Sequence, residues 1–414
     1  MATERHFDIV LLGATGYTGK FCAEHIVRNL PTNLKWAIAG RSAEKLSALA
    51  EELHKISPER RTPEIVTVQL HAAELDLVTK RTRVLLNCVG PYRLYSTPVV
   101  EACANNGTHY LDVTGEMRWI KQMIAKYHDK AKETGAILIS AAGLECAPTD
   151  LLTWALVKYI KDRFSVRTDE VISSIYELKS AGASGGTLST VVGVMSSLSF
   201  KELLKAQNPY YLSASQPKTT HSPPLLQRLF GVRIVPELGP MTSYITSHCD
   251  AAIVHRSRSL MLDLYGPDFH FETFAAVRSV PVGVILHIAL MFGLLALTLP
   301  PLRLLVNKLI YAPGEGPAKK ATIGNRIEYR ALATAERKSP EGKPIKVLGI
   351  YKANGDAYWM TGVLLAESAM VLLKSKRISQ EVEGGYLTPA VLGQEYIDRL
   401  EKCGITIETQ VLGP

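Results

Sequence analysis

The chain is poor in the features that staple or export a protein. Of 414 residues six are cysteine, and Cys22, Cys88, Cys103, Cys146, Cys249 and Cys403 fall at neither metal-ligand nor dithiol spacing. No disulfide framework or metal site is expected, and the thiols read as free, as in a reducing compartment. No apolar export segment opens the sequence: Glu4, Arg5 and Asp8 stand where one is needed, so an intracellular, non-secreted protein is expected. Neither sign of charge dominates. The net charge is +8 and the basic residues are scattered, which does not indicate nucleic-acid binding. An anionic cofactor, an anionic acyl carrier or an anionic membrane surface would suit that balance. One long uncharged apolar run is present, residues 280–299.

What is there begins at residue 7. FDIVLL, a continuous apolar run, leads straight into Gly13, Gly16 and Gly19, and a helix-like segment follows with Phe21, Cys22, His25 and Ile26 on one face. This is the strand, glycine turn and helix of a dinucleotide-binding fold. The turn residues Gly13, Ala14, Thr15, Gly16, Tyr17, Thr18 and Gly19 are expected to hold the pyrophosphate against the helix N-terminus. A second strand over 35–39 ends in Gly40-Arg41-Ser42. The acid that would bond the ribose 2′-hydroxyl of NAD is missing there. Arg41 and Ser42 suit the 2′-phosphate of NADP(H) instead.

Up to about residue 150, strands and helices alternate: strands over 65–70, 82–89, 109–113 and 136–140, helices over 43–54, 97–106 and 117–134. That alternation predicts an α/β fold, a Rossmann doubly wound parallel sheet, spanning 1–150. A second, mixed α/β domain is expected over 151–279, with a strand at 171–178, a helix at 188–204, an irregular loop over 206–240, a strand at 244–248, a helix at 250–262 and a strand at 270–277. An antiparallel pair, 325–337 with 345–352, and helices at 358–373 and 392–402 place 311–414 in that same second domain. GGYLTP reads as a turn between those two helices.

The run over 280–310 is the second informative feature. Residues 280–299 carry His287 as the single strongly polar side chain. Twenty helical residues reach about 30 Å, the thickness of a bilayer core. Three fates are open: a span, a helix lying in a membrane or lipid-droplet surface, or a helix buried in the fold or a homodimer interface. Gly283 and His287 near its middle weigh against a span.

Several segments together resemble one family. GATGYTG, AGR, NCVGPYRLYSTPVVEAC, THYLDVTGE, SGGTLST, CDAAIVHRSRSL, YGPDF, APGEGP, LLAESAMVLL and GGYLTPA run through nearly the whole chain in that order. They are similar to the saccharopine dehydrogenase-like oxidoreductases, and more closely to the branch of trans-acting enoyl reductases. The resemblance implies NADPH-dependent reduction of an α,β-unsaturated acyl thioester, carried on a polyketide synthase, by a Rossmann domain joined to a second α/β domain. Animal members of the family are associated with membranes and lipid droplets. One departure stands out: the family's Gly-Phe-Asp-Ser-x-Pro-x-Asp reads GLECAPTD here, with Glu145 and Cys146 in place of the Asp and Ser.

The chemistry is expected beyond the carboxyl ends of the parallel strands. Cys88, Val89, Gly90 and Pro91 would line the cofactor. Tyr92 is a candidate proton donor. Asp112 and Glu116 are candidates for proton transfer or for orienting cofactor hydroxyls, with capping of the following segment as the alternative for Asp112. Ser184-Gly185-Gly186-Thr187 opens a helix that would hold an anionic group or merely be capped. A saccharopine-cleaving enzyme would need several arginines for its anionic substrate, and Arg256 and Arg258 are the one cluster available.

Overall fold

The computed structural model describes residues 5–180, 207–219, 221–297, 324–337 and 343–413, together with 182, 193, 299, 301–302, 311 and 315–317. Six strands alternate with helices up to residue 139: β1 Phe7–Leu12, β2 Trp36–Gly40, β3 Glu64–Thr67, β4 Thr82–Asn87, β5 His109–Asp112 and β6 Ile137–Ile139. Ile9, Val10 and Leu11 of β1 are fully buried. Helices cover both faces of a parallel sheet, so its central strands are apolar throughout rather than alternating.

The later strands are β7 Thr168–Lys179, β8 Val232–Val235, β9 Gly239–Thr242, β10 His270–Ala276, β11 Arg326–Ala335, β12 Lys346–Asn354, β13 Gly385–Leu387 and β14 Ile405–Leu412. They build a second sheet in the order β14-β12-β11-β7-β10-β9-β8, while the first sheet reads β13-β6-β5-β4-β1-β2-β3. All pairs of the first sheet are parallel. In the second, β7 and β10 pair in parallel and the other neighbours are antiparallel. Helix Ala147–Phe164 lies on one face of the second sheet, where Leu151, Leu156 and Ile160 pack with Val171, Tyr329 and Tyr351. The expected antiparallel pair near 325–352 is β11 with β12.

Three expectations need correction. The stretch 206–240, expected to be irregular, contains the helix Leu225–Phe230 and the hairpin β8–β9. Residues 244–248, expected to be a strand, form a turn that runs into the helix Ser247–Leu260, because Cys249 and Asp250 N–H groups already bond Thr246 O. GGYLTP is not simply a turn. Tyr386 and Leu387 pair with β6, so the first sheet gains its seventh strand from the far end of the chain. A side chain on Gly384, at φ +103°, would stand 2.7 Å from Ala131 O, so only glycine lets the strand enter there. The helix expected at 188–204 and the segment Ser184–Thr187 lie outside the described residues, apart from Gly193.

The C-terminal third therefore serves both sheets. β11, β12 and β14 extend the second, whereas β13 and the helix Ala357–Lys374 pack on the first. That helix crosses Tyr17–Asn29 so closely that a methyl on Gly362 would stand 2.7 Å from Cys22 N. A buried polar cluster fastens the crossing. His25 Nε2 and Glu367 Oε1 are 2.8 Å apart, and Arg399 Nε donates to Glu367 Oε2 at 2.7 Å. The Cys403 thiol donates to Glu367 Oε1 at 3.5 Å.

The apolar run forms the helix Val280–Ala296. Among the described residues no helix is long and apolar enough to cross a membrane, so the expectation of a span is not carried by the fold. One side of this helix is held. Thr242 Oγ1 donates to Gly283 O at 2.9 Å, and Ser243 Oγ lies 2.6 Å from His287 Nδ1. The opposite side leaves Ile285 65%, Phe292 68% and Leu295 59% exposed.

Candidate active site

β1 delivers the chain to Gly13, whose φ of +80° belongs to the left-handed region. Its N–H donates to Ala39 O at 2.9 Å, and Gly16 N–H donates back to Gly13 O at 3.0 Å. The helix Tyr17–Asn29 then packs onto the turn. A methyl on Gly19 would sit 2.3 Å from Gly13 O and 2.9 Å from Ala14 Cα, both backbone. Ala14 is fully buried beneath, while Thr15, Gly16, Tyr17 and Thr18 line the partly exposed rim. The helix starts at Gly16 with no side-chain cap and no acid in its first turn. Such an N-terminus presents main-chain donors and a positive dipole end, which suits a pyrophosphate. The residues present thus fit NADP(H).

Around that turn the wall is made of the loops leaving β2, β4, β5 and β6. Arg41 is exposed at the end of β2. Ser42, expected beside it on the cofactor, has its Oγ accepting from Lys45 N at 3.3 Å and caps the helix Ala43–Ile56. Cys88, Val89 and Pro91 are half-buried and Gly90 exposed along the same rim. Asn87 shapes this turn. Its Oδ1 accepts from Val89 N at 3.0 Å, and its Nδ2 donates to Ser96 Oγ and Tyr110 OH at 2.8 and 3.0 Å. Tyr17 forms the far rim, donating from its phenol to Pro317 O at 2.7 Å with its ring edge against Tyr358.

Tyr92 and Asp112, the expected catalytic pair, lie inside the wall rather than on it. Tyr92 is 7% exposed and donates to Asn87 O at 3.1 Å. Asp112 is fully buried. Its Oδ1 accepts from Thr114 N at 3.0 Å and Ala141 N at 3.3 Å, and its Oδ2 accepts from Ser140 Oγ at 2.7 Å. Ser140 Oγ in turn meets Tyr386 OH of β13. Burial pushes the Asp112 carboxyl up to about 7, against the hydrogen bonds from Thr114 and Ser140 that pull it down. Here Asp112 ties the ends of β5, β6 and β13 together. Glu116 caps the opposite loop, its two oxygens accepting from Tyr92 N and Arg93 N at 2.7 and 3.1 Å. Capping was the alternative left open by the sequence for Asp112.

Other groups resolve into structure. His109 Nδ1 accepts from Ile137 N at 3.0 Å, and burial holds its imidazole down to about 4. Cys146 is fully buried, and burial raises its thiol well above the ordinary range, unlike an activated nucleophile. Arg256 donates to Leu212 O and Tyr386 O, and Arg258 to Ser215 O and Pro267 O. Both guanidinium groups hold main chain instead of forming an anion pocket.

Sequence reasoning missed the side that faces the parallel sheet. The first turn of helix Ser247–Leu260 abuts the loops after β5 and β6: Cys249 Sγ donates to Gly115 O at 3.6 Å, and Thr149 Oγ1 to Asp250 Oδ1 at 2.9 Å. Tyr244, half-buried, donates from its phenol to Asp250 Oδ2 and lies 3.2 Å from Thr273 Oγ1 of β10. Half-buried Glu145 reaches the same place; a methyl on Gly115 would stand 2.4 Å from its Oε1. The segment CDAAIVHRSRSL was visible in sequence, but the turn that aims Tyr244 at it was not.

Comparisons agree with this architecture. The profile of the saccharopine dehydrogenase NADP binding domain matches residues 9–139. A trans-acting enoyl reductase of Mycobacterium bovis (strain BCG / Pasteur 1173P2) is 31% identical over 425 residues, covering 98% of each chain. One of Mycobacterium ulcerans (strain Agy99) is 30% identical over 421 residues, again 98% of each. The solved apo saccharopine dehydrogenase (L-Glu forming) from Saccharomyces cerevisiae superposes with a TM-score of 0.57 at 14% identity, over 98% of this chain and 99% of that one. That last likeness is one of fold.

Proposed function

The chain belongs to the saccharopine dehydrogenase-like oxidoreductase family, whose NADP-binding domain it carries, and on that premise we propose that it is an NADPH-dependent enoyl reductase. The substrate would be an α,β-unsaturated acyl thioester presented in trans, on a carrier protein such as that of a polyketide synthase. The observation that carries the reading is the uncapped helix N-terminus behind Gly13–Gly19, with Arg41 rather than an acid at the end of β2. The name shared by the full-length relatives supports the enoyl chemistry.

In this reading the Gly13–Gly19 turn and the helix behind it hold the pyrophosphate, and Arg41 holds the 2′-phosphate. Cys88 to Pro91 border the nicotinamide side. The bound cofactor supplies hydride to the β-carbon of the enoyl group. The walls built on Asn87, Asp112 and Glu116 keep that edge rigid, so the reacting carbon is held rather than found by diffusion.

Arg41→Ala tests the cofactor arm. NADPH affinity should fall by about 1.5–3 kcal/mol, the worth of a charged hydrogen bond, while NADH affinity stays within twofold or so. Fluorescence titration of both nucleotides reads this directly. Wild-type protein that binds NADPH but consumes none with any enoyl thioester would sink the enoyl arm alone.

A second reading concerns where the protein works, and it rests on the exposed side of helix Val280–Ala296. Ile285, Ile288, Phe292 and Leu295 recur at helical spacing on that side, and Leu225 and Leu229 of the neighbouring short helix are also exposed. An apolar face this large supports docking to a membrane or lipid-droplet surface. The double variant Ile285→Glu, Phe292→Glu should lose cosedimentation with vesicles of mixed zwitterionic and anionic lipid. If wild type leaves the vesicles unbound and the variant instead turns a dimer into monomers, the face is a self-association surface and the lipid reading fails.

A further inference from the structure

A reductase of this kind must also return a proton to the carbon next to the thioester, and neither Tyr92 nor Asp112 is placed to do so. Groups that meet the carboxyl edge of the parallel sheet come from helix Ser247–Leu260 and the turn before it. Tyr244 stands on the turn before helix Ser247–Leu260. Its phenol bonds Asp250, and Thr273 of β10 lies behind it at 3.2 Å. Asp250 is 1% exposed and is pinned on its other oxygen by Thr149, in the first turn of the helix that leaves β6. The neighbouring Cys249 donates to Gly115 O of the loop after β5, so this pair stands beside the end of the parallel sheet where ligands of doubly wound folds bind. Burial drives the Asp250 carboxyl well above its ordinary value, and the nearby Glu145 charge adds to the rise, while bonds from Tyr244 and Thr149 oppose it. Asp250 thus holds the phenol in place by accepting its hydrogen bond.

We propose that Tyr244 is the catalytic acid that protonates the α-carbon, and that Asp250 is the positioning residue that aims the phenol. This rests on the enoyl-reductase reading. In balanced form, the β-carbon takes the hydride that NADPH supplies, and the electron pair of the carbon–carbon double bond moves toward the thioester carbonyl as an enolate. The enolate pair then forms the α-carbon–hydrogen bond with the Tyr244 proton. The resulting phenolate takes a proton from solvent. One NADPH and one proton are consumed per double bond reduced.

The test is steady-state kinetics with an enoyl thioester, run beside NADPH titration. Tyr244→Phe keeps the ring and removes the proton. Its kcat should fall by roughly 10²–10⁴, the usual worth of a general acid, with KM and NADPH affinity within a few-fold of wild type. Asp250→Asn keeps the shape and should lower kcat with KM and NADPH affinity also unmoved; a merely structural role would move them together. Should Tyr244→Phe lose NADPH binding through misfolding, Asp250→Asn decides by the same split. Glu145→Gln is the rival: if it loses kcat while Tyr244→Phe retains it, Glu145 is the acid and the assignment is overturned. Wild type that binds NADPH yet reduces no enoyl thioester overturns the proposed function, and this assignment with it.

Discussion

Gly19→Ala should weaken NADP(H) binding by about 10- to 100-fold while leaving the protein folded. The added methyl would sit 2.3 Å from Gly13 O and 2.9 Å from Ala14 Cα. Both are backbone atoms of the turn, so no side chain can swing aside. Either the helix Tyr17–Asn29 withdraws from the turn or the turn itself opens. Overpacking of this kind costs about 1–3 kcal/mol, and each 1.4 kcal/mol is roughly tenfold in affinity. The displaced parts are the helix N-terminus and the loop that would face the pyrophosphate, so the loss falls on binding first. Nucleotide titration and a thermal melt of the same preparation separate the two effects. Unchanged affinity with a lowered melting temperature would show that this turn is structural and holds no cofactor. A control at Gly135, where an added methyl meets nothing within 4 Å although φ is +74°, should leave nucleotide affinity unchanged.

Glu367→Ala should destabilise the folded protein by about 3–5 kcal/mol at neutral pH. The Glu367 side chain is 3% exposed and receives both His25 and Arg399. Removing it leaves those groups without their shared acceptor where helix Ala357–Lys374 crosses the first helix of the chain. Burial alone would raise the Glu367 carboxyl; the hydrogen bond from His25 and the charge of Arg399 outweigh it and hold it below its ordinary value of 4.5. An acid depressed in the folded state contributes stability that is present above the unfolded value and lost as pH falls through the folded one. The gap in unfolding free energy between wild type and variant should therefore be flat near neutrality and narrow below pH 4.5 or so. Chemical denaturation at a series of pH values measures it. A gap that does not change with pH would mean that the loss is one of packing, with no ionised carboxylate involved.

The legible parts of this protein were those whose cause is local. β1, its glycine turn and its helix are consecutive in sequence, so the apolar run, Gly13 and Gly19 carry their own explanation. The pair β11 with β12 was legible for the same reason, two strand-like runs separated by a short connection. The hairpin β8–β9 was not. Pro236, Gly239 and Pro240 look like loop residues, yet Pro236 to Leu238 is the turn and Pro240 sits beside Ile234 in the ladder. β13 was illegible too, because a strand of three residues has no periodicity and is defined by Ala136 to Ile139, its distant partner.

By itself, then, the sequence determined the nucleotide half: the strand, the tight turn and the helix N-terminus follow from neighbouring residues, and the expectation of a phosphate rather than a hydroxyl at Arg41 rests on them too. Tertiary structure decided which polar groups are turned into the fold. Tyr92 and Asp112 have the right chemistry at the right strand ends, but Asn87 O, Ser140 and the Thr114 and Ala141 amides turn them inward. Tyr244 and Asp250 come to that edge because the helix Ser247–Leu260 docks on the loops after β5 and β6. The physical reason is one of range. Backbone conformation and helix dipoles are set by residues a few places apart, whereas burial, the direction of a side chain and the pull on its proton are set by whatever the rest of the chain packs against it.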